Sequence, residues 1–231
     1  MGVTGGIAVY KAVDLVSRLR KQGCQVRVVM TEHAQQFVTP LTFKEISGNQ
    51  VAVSMWSSNQ EFNVEHIALA NWADAFVVAP ATANILAKMA YGLADDLLST
   101  TLLAAQAPIV VCPAMNTGMY ENAATQENIA KLQGRGVTVM PPAVGKLACG
   151  TSGAGRLPEP QEIVEFLSAF FAKREGDLCG LKVLVTAAGT REPIDPVRYV
   201  GNRSSGKMGY AVAQMAAERG AEVLLVSGPS A

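Results

Sequence analysis

Apolar runs rich in β-branched residues alternate with amphipathic stretches along most of this chain. Residues 25–30 (Gln-Val-Arg-Val-Val-Met), 75–79, 109–113 and 137–140 each read as a short strand: apolar runs of this length bounded by turn formers are too short for a buried helix. The intervening stretches carry the helical period. A glycine-rich turn at the N-terminus runs into an amphipathic helix ending at about Gln22, and Thr39-Pro40 starts another, with Pro at its first position, that ends near Gly48. Further helices are expected over 83–90, 95–105, 125–132 and 160–173, the last with Ile163, Val164, Phe166, Leu167 and Phe170 on one face. Residues 49–63 and 141–158 lack periodicity and are expected to be loops.

Strands alternating with helices predict a parallel sheet covered on both faces, a three-layer Rossmann- or flavodoxin-like α/β domain. Almost nothing precedes the first turn, Met1-Gly-Val-Thr-Gly-Gly, where an apolar central strand is expected, so either the start is truncated or the sheet is incomplete. A polar stretch around 173–177 reads as a linker. Leu181-Lys-Val-Leu-Val-Thr-Ala-Ala-Gly-Thr then opens a fresh strand–loop–helix–strand unit, with a helix from Gly206 and a strand over 222–226. The expected organisation is a first domain over 1–174, a linker over 175–180 and the beginning of a second α/β domain over 181–231.

Composition narrows the function classes. With 231 residues, 49% hydrophobic, and 19 basic against 19 acidic residues, the chain can build a core and carries no bias toward nucleic acid or a membrane surface. No apolar run is long enough to span a bilayer and the first residues lack a signal peptide pattern, so a cytoplasmic protein is expected. Cys24, Cys112, Cys149 and Cys179 form no CxxC pair, which argues against a metal site or a disulfide framework. At least three of them are expected to be buried apolar fillers.

Candidate chemistry gathers at the strand ends, where open parallel sheets bind ligands. Thr4, Gly5 and Gly6 form a turn whose backbone N–H groups suit a phosphate at a helix N-terminus. Thr31 either caps the next helix or meets a ligand. Asn116, after the strand that stops at Pro113, either satisfies its own turn or holds a carboxylate or amide without adding charge. His66 is the residue type that accepts a proton near neutral pH. Cys149, flanked by Gly150, Gly153 and Gly155, lies in a stretch able to bend over a ligand. Asp95 and Asp96 suit a helix first turn and are assigned no chemistry.

Pro113-Ala-Met-Asn-Thr-Gly-Met119 resembles the PxMNxxM signature of the flavin-dependent cysteine decarboxylases, the HFCD family. Phe76-Val-Val-Ala-Pro-Ala-Thr-Ala-Asn84 is similar to that family's PASANT segment, with Thr82 for Ser. His66 stands where the family has its active-site histidine, and Leu147-Ala-Cys-Gly150 resembles the segment with a reducing-step cysteine in the bacterial phosphopantothenoylcysteine decarboxylases. Arg191-Glu-Pro-Ile-Asp-Pro-Val-Arg198 and Gly201-Asn-Arg-Ser-Ser-Gly-Lys207 resemble the opening of the phosphopantothenate–cysteine ligase domain that follows the decarboxylase in bacterial fusion proteins, with Ala188-Gly-Thr for the usual Gly-Gly-Thr.

The resemblance implies an FMN-dependent decarboxylase acting on phosphopantothenoylcysteine in coenzyme A biosynthesis, a homotrimer or larger homo-oligomer with its site between subunits. His66, Asn116 and Cys149 are the implied catalytic residues. Thr4, Gly5, Gly6, Thr31, Pro80, Ala81, Thr82 and Asn84 are the implied flavin contacts, and Asn116, Met119 and Asn202 the implied substrate contacts. The ligase portion implies CTP and Mg2+ in the complete domain and no ligase activity in this piece alone. FMN supplies the electron sink that a cysteine carboxylate lacks, so that loss of carbon dioxide leaves an enethiolate. Alternatives are a peptidyl-cysteine decarboxylase and a non-catalytic FMN-binding regulatory subunit. A flavin prenyltransferase fits the glycine turn but not the Met115-Asn116 loop or Cys149.

Overall fold

Valine-rich segments line up as a six-stranded, all-parallel sheet in the computed structural model, which describes residues 1–56, 65–146, 150, 152–202 and 204–228. The strands are β1 (Gly2–Val3), β2 (Val28–Met30), β3 (Val51–Ala52), β4 (Phe76–Ala81), β5 (Ile109–Pro113) and β6 (Thr138–Val139). Their order is β3-β2-β1-β4-β5-β6, the doubly wound arrangement in which the chain runs outward from the middle, returns and runs the other way. Gly2 pairs with Val29 on one side and Val78 on the other, which puts β1 at the middle of the sheet. Short β3 also falls inside the expected loop over 49–63.

Alternation along the strands assigns two faces. Val28 and Met30 join Val3 in a core with α1 (Val9–Lys21) and α3 (Pro40–Ser47), through Val9, Ala12, Val16 and Phe43. Val29 points the other way, into a core with Val78, Val111 and four helices: α4 (Glu65–Trp72), α5 (Ala83–Tyr91), α6 (Leu97–Ala104) and α8 (Ala123–Gly134). Gly2 faces this second core, and a Cβ there would lie 2.6 Å from Leu98 Cδ1. The absence of a side chain at Gly2 lets α6 settle on the middle of the sheet.

Local signals set the helix ends. Thr31 caps the short α2 (Glu32–Gln35) by accepting the Ala34 N–H, and Gly48 closes α3 in the left-handed conformation. Asp96 is the N-cap of α6 in a reciprocal capping box with Ser99, while Lys88 Nζ reaches Asp95 at 2.6 Å and Asp96 at 2.7 Å. Two further features of this region were not expected. Thr117–Glu121 forms α7, and residues 141–158 contain an antiparallel hairpin, β7 (Ala143–Lys146) with β8 (Ser152–Arg156), rather than a loop. A backbone ladder needs no side-chain period, which is why glycine-rich Ser-Gly-Ala-Gly-Arg gave no strand signal.

Met1–Val164 is one compact unit and Glu165–Ala231 another. Helix α9 (Pro160–Glu175) runs to the first residue of the expected linker. In the second unit β9 (Lys182–Ala187) and β12 (Glu222–Ser227) pair in parallel, joined through α10 (Lys207–Glu218). An unexpected hairpin, β10 (Arg191–Pro193) with β11 (Tyr199–Gly201), fills the connection. Among the described residues no helix is long and apolar enough to cross a membrane.

Candidate active site

The doubly wound order reverses between β1 and β4, and the chain is stitched together beyond their carboxyl ends. The Thr4 hydroxyl donates to the Pro80 carbonyl at 2.7 Å and accepts the Thr82 N–H at 3.1 Å, tying the glycine turn to the end of β4. Ala114 N–H donates to the Ala81 carbonyl at 3.0 Å, which sets the β5 loop beside it. Met115 N–H donates to the Gly155 carbonyl at 2.9 Å, which brings in the hairpin. From α1, Lys11 Nζ donates to the Leu157 carbonyl at 3.0 Å and Glu159 Oε1 at 2.9 Å. Four segments distant in sequence thus become the walls of one cleft.

That cleft has a volume of about 640 Å³, within the range of cofactor and ligand sites. Gly5, Gly6, Ile7 and Ala8 form one wall, Pro80 and Thr82 the next, Ala114 to Asn116 with Met119 a third, and Gly155 to Leu157 the fourth. Two glycines permit the hairpin's approach. A Cβ on Gly155, whose φ is +133°, would sit 2.3 Å from the Met115 carbonyl oxygen, and one on Gly153 would sit 2.7 Å from the Thr117 side chain. The lining is mainly apolar, with backbone groups at the head of the 13-residue α1, which has no acidic residue in its first turn. This donor set fits a planar ring bearing a phosphate.

The expected site residues divide by position. Gly5, Gly6, Pro80, Thr82, Asn116 and Met119 line the cleft. Thr4 is buried and its hydroxyl is engaged by Pro80 and Thr82, so it braces the turn; Thr31 caps α2; Ala81 is buried and not part of the lining. Asn84 is exposed on α5 outside the lining. His66 is half-buried on α4 and is not part of the lining, and Asn202 belongs to the second unit. Cys149 lies outside the described residues. At Asn116 the turn role is in place, its Oδ1 accepting the Gly118 N–H at 2.8 Å as the N-cap of α7, and the residue is part of the cleft lining.

Sequence reading missed Lys11, Tyr10 and Arg156 in the lining. Lys11 did leave a signal, because it is a lysine among Val9, Ala12, Leu15 and Val16 on the buried face of α1. Its ammonium, with Arg156 beside it, holds the Glu159 carboxyl below the usual carboxylate range. The cysteines depart from expectation. Cys112 is a buried filler, its thiol pushed up to about 12 by burial, but Cys24 and Cys179 are exposed, so fewer than three are fillers among those described. No cluster of three His, Cys, Asp or Glu among the described residues could hold a metal ion.

Comparison with known proteins agrees with this geometry. Residues 178–231 match the model of the DNA/pantothenate metabolism flavoprotein C-terminal domain. The coenzyme A biosynthesis bifunctional protein CoaBC of Haemophilus influenzae is 52% identical over 229 residues, covering 99% of this chain, which spans 57% of that relative's length. Among solved structures, a PPC decarboxylase mutant complexed with pantothenoylaminoethenethiol superposes with a TM-score of 0.66 at 33% identity, over 74% of this chain and 95% of the other. The FMN binding protein AtHal3 gives 0.63 at 34%, over 74% and 94%. Residues 1–172, which contain the whole cleft, match the Flavoprotein family model, and the chain belongs to that family.

Proposed function

We propose that this chain carries the FMN-dependent phosphopantothenoylcysteine decarboxylase of coenzyme A biosynthesis, followed by the beginning of a CTP- and Mg2+-dependent phosphopantothenate–cysteine ligase. Residues 1–174 form the decarboxylase, 175–180 the linker and 181–231 the partial ligase in this reading. The observation that carries it is the meeting of the glycine turn and the Asn116–Met119 loop in one cleft at the sheet's switch point.

Gly5 and Gly6 present backbone N–H groups to the cofactor phosphate, and Thr82 and Pro80 line the cofactor's path. Bound FMN supplies a two-electron acceptor for the substrate's Cβ hydrogen and later returns it. Asn116, oriented by its bond to Gly118, grips the substrate carboxylate or neighbouring amide; a neutral amide orients the carboxylate without stabilising the charge that must leave. His66 accepts a proton in the oxidation. In this reading it comes from a neighbouring subunit of a homotrimer or larger assembly, as the family resemblance implies. Cys149 donates the proton that completes reduction of the enethiolate.

Separate readouts test these roles. His66→Asn should release no carbon dioxide from phosphopantothenoylcysteine. Cys149→Ser should release it but leave the unsaturated enethiol, seen by mass spectrometry two mass units below phosphopantetheine (one hydride and one proton short). Fully saturated product from Cys149→Ser would remove Cys149 from the mechanism.

A further inference from the structure

The cleft lining contains two charged side chains among the described residues, Lys11 and Arg156, and both are cations. They share one counter-ion. Glu159 Oε1 accepts from Lys11 Nζ at 2.9 Å and also from the Arg156 guanidinium, so two positive charges stand against one negative. The two cations also differ in burial. Lys11 is 8% exposed and already donates to both Leu157 and Glu159. The side chain of Arg156 is 42% exposed, and its guanidinium carries N–H donors beyond the one given to Glu159.

We infer that Arg156, held by the Glu159–Lys11 pair, is the recognition site for a phosphate monoester, the one at the end of the substrate remote from its cysteine. This rests on the reading of the cleft as the phosphopantothenoylcysteine site. Three anions could meet this guanidinium, and chemistry separates them. The substrate carboxylate is a poor match, because a cation on it stabilises the charged ground state that decarboxylation must destroy. The cofactor phosphate has the Gly5–Gly6 turn at the head of α1. The substrate's phosphate is at the end of the ligand remote from the reacting cysteine, and the part-exposed Arg156 offers it a guanidinium fork that matches its oxygens in pairs. Lys11 is a positioning residue here: its bonds to Leu157 and Glu159 fix the strand end from which Arg156 projects.

The test compares binding ratios in the FMN-loaded 231-residue protein, read by calorimetry and by the flavin spectrum, so turnover is not required. The wild type should bind phosphopantetheine at least tenfold more tightly than pantetheine. In Arg156→Ala that ratio should fall to near one, and in Arg156→Lys to an intermediate value. Arg18→Ala, outside the cleft and paired with Asp14, should keep the wild-type ratio. The inference is overturned if Arg156→Ala retains the wild-type ratio, or if the wild type shows no preference for the phosphorylated ligand. It is also overturned if the variant instead lowers the FMN-to-riboflavin ratio, which assigns the cation to the cofactor, or the pantothenoylcysteine-to-pantetheine ratio, which assigns it to the carboxylate. Failure of the underlying reading looks different: neither pantetheine nor phosphopantetheine would bind or perturb the flavin at all.

Discussion

The chain contains the same strand–turn–helix–strand unit twice, the first copy in a six-stranded sheet and the second in a two-stranded pair. β4 is buried along its full length, with helices on both faces and a second loop-bearing strand, β5, beside it. β9 and β12 pair over six residues, yet Leu184, Leu224 and Val226 are 64%, 66% and 52% exposed. Parallel strands ordinarily need cover on both faces. The contrast shows that a glycine turn after a strand is not yet a site. In the first unit the turn gains opposing walls from β4, β5 and the hairpin, all positioned by a core; in the second, the turn at Ala188-Gly189 stands on a two-stranded pair.

The difference should be largest in the cost of trimming a leucine. Leu98, 2% exposed, rests on Gly2 at the middle of the first sheet. Leu98→Ala is expected to destabilise the first unit by about 3–5 kcal/mol. Leu224→Ala, at an exposed strand position, should cost less than about 0.5 kcal/mol. Both tryptophans, Trp56 and Trp72, belong to the first unit, so tryptophan fluorescence in urea reports its unfolding, and hydrogen exchange at β9 and β12 reports the second. Equal losses for the two variants would abolish the contrast.

What the sequence disclosed, and what it hid, follows the same division between apolar pattern and tertiary pairing. The strands at 76–81 and 109–113 were legible because buried parallel strands are continuous apolar runs. The Pro80–Thr82 and Asn116–Met119 segments were legible because they lie at or just past the carboxyl ends of those strands. The β7–β8 hairpin was not, since Gly145 pairs with Gly153 in a ladder that carries no alternation, and its place is fixed by what Gly153 and Gly155 allow near Thr117 and Met115. β1 was hidden for a related reason: two residues have no period, and only Val29 and Val78 on either side make them a strand. His66 could be proposed as a base from its residue type, but whether it faces the cleft depends on packing that no local pattern encodes.

Helix starts offer a smaller and more specific contrast. α6 begins at Asp96 with a complete capping box, while α10 begins at Gly206 with no side-chain cap. Burial pushes the Asp96 carboxyl up, but the Lys88 ammonium and the Ser99 N–H and hydroxyl together outweigh it and hold its pKa below the ordinary 3.8. The fold therefore favours the carboxylate. Its contribution is complete above pH 3.8 and is lost as pH falls through the lower folded value. Asp96→Asn keeps a capping side chain and removes the charge, so it should cost about 1 kcal/mol at pH 7, with the gap to wild type closing under acid. Melting curves of both proteins from pH 7 to pH 3 check this, and a gap independent of pH would assign the whole effect to the cap.

The smallest effect concerns the two turns themselves. Gly5 is required by packing, because a Cβ there would lie 2.4 Å from His33 Cβ. At the corresponding point of the second unit stands Ala188 with φ at +94°, the one described residue other than glycine with a positive φ. A side chain in that region clashes with its own backbone, a cost of roughly 1–2 kcal/mol for an L-residue. Part of this is offset in the comparison with glycine, which loses more chain entropy on folding. Ala188→Gly should therefore stabilise the second unit by about 0.5–1 kcal/mol while leaving the first unchanged. Slower hydrogen exchange at β9 and β12, with an unaltered tryptophan transition, is the expected result. Faster exchange would mean that the alanine methyl contributes packing against Gly206 or Gly228 that outweighs its backbone strain.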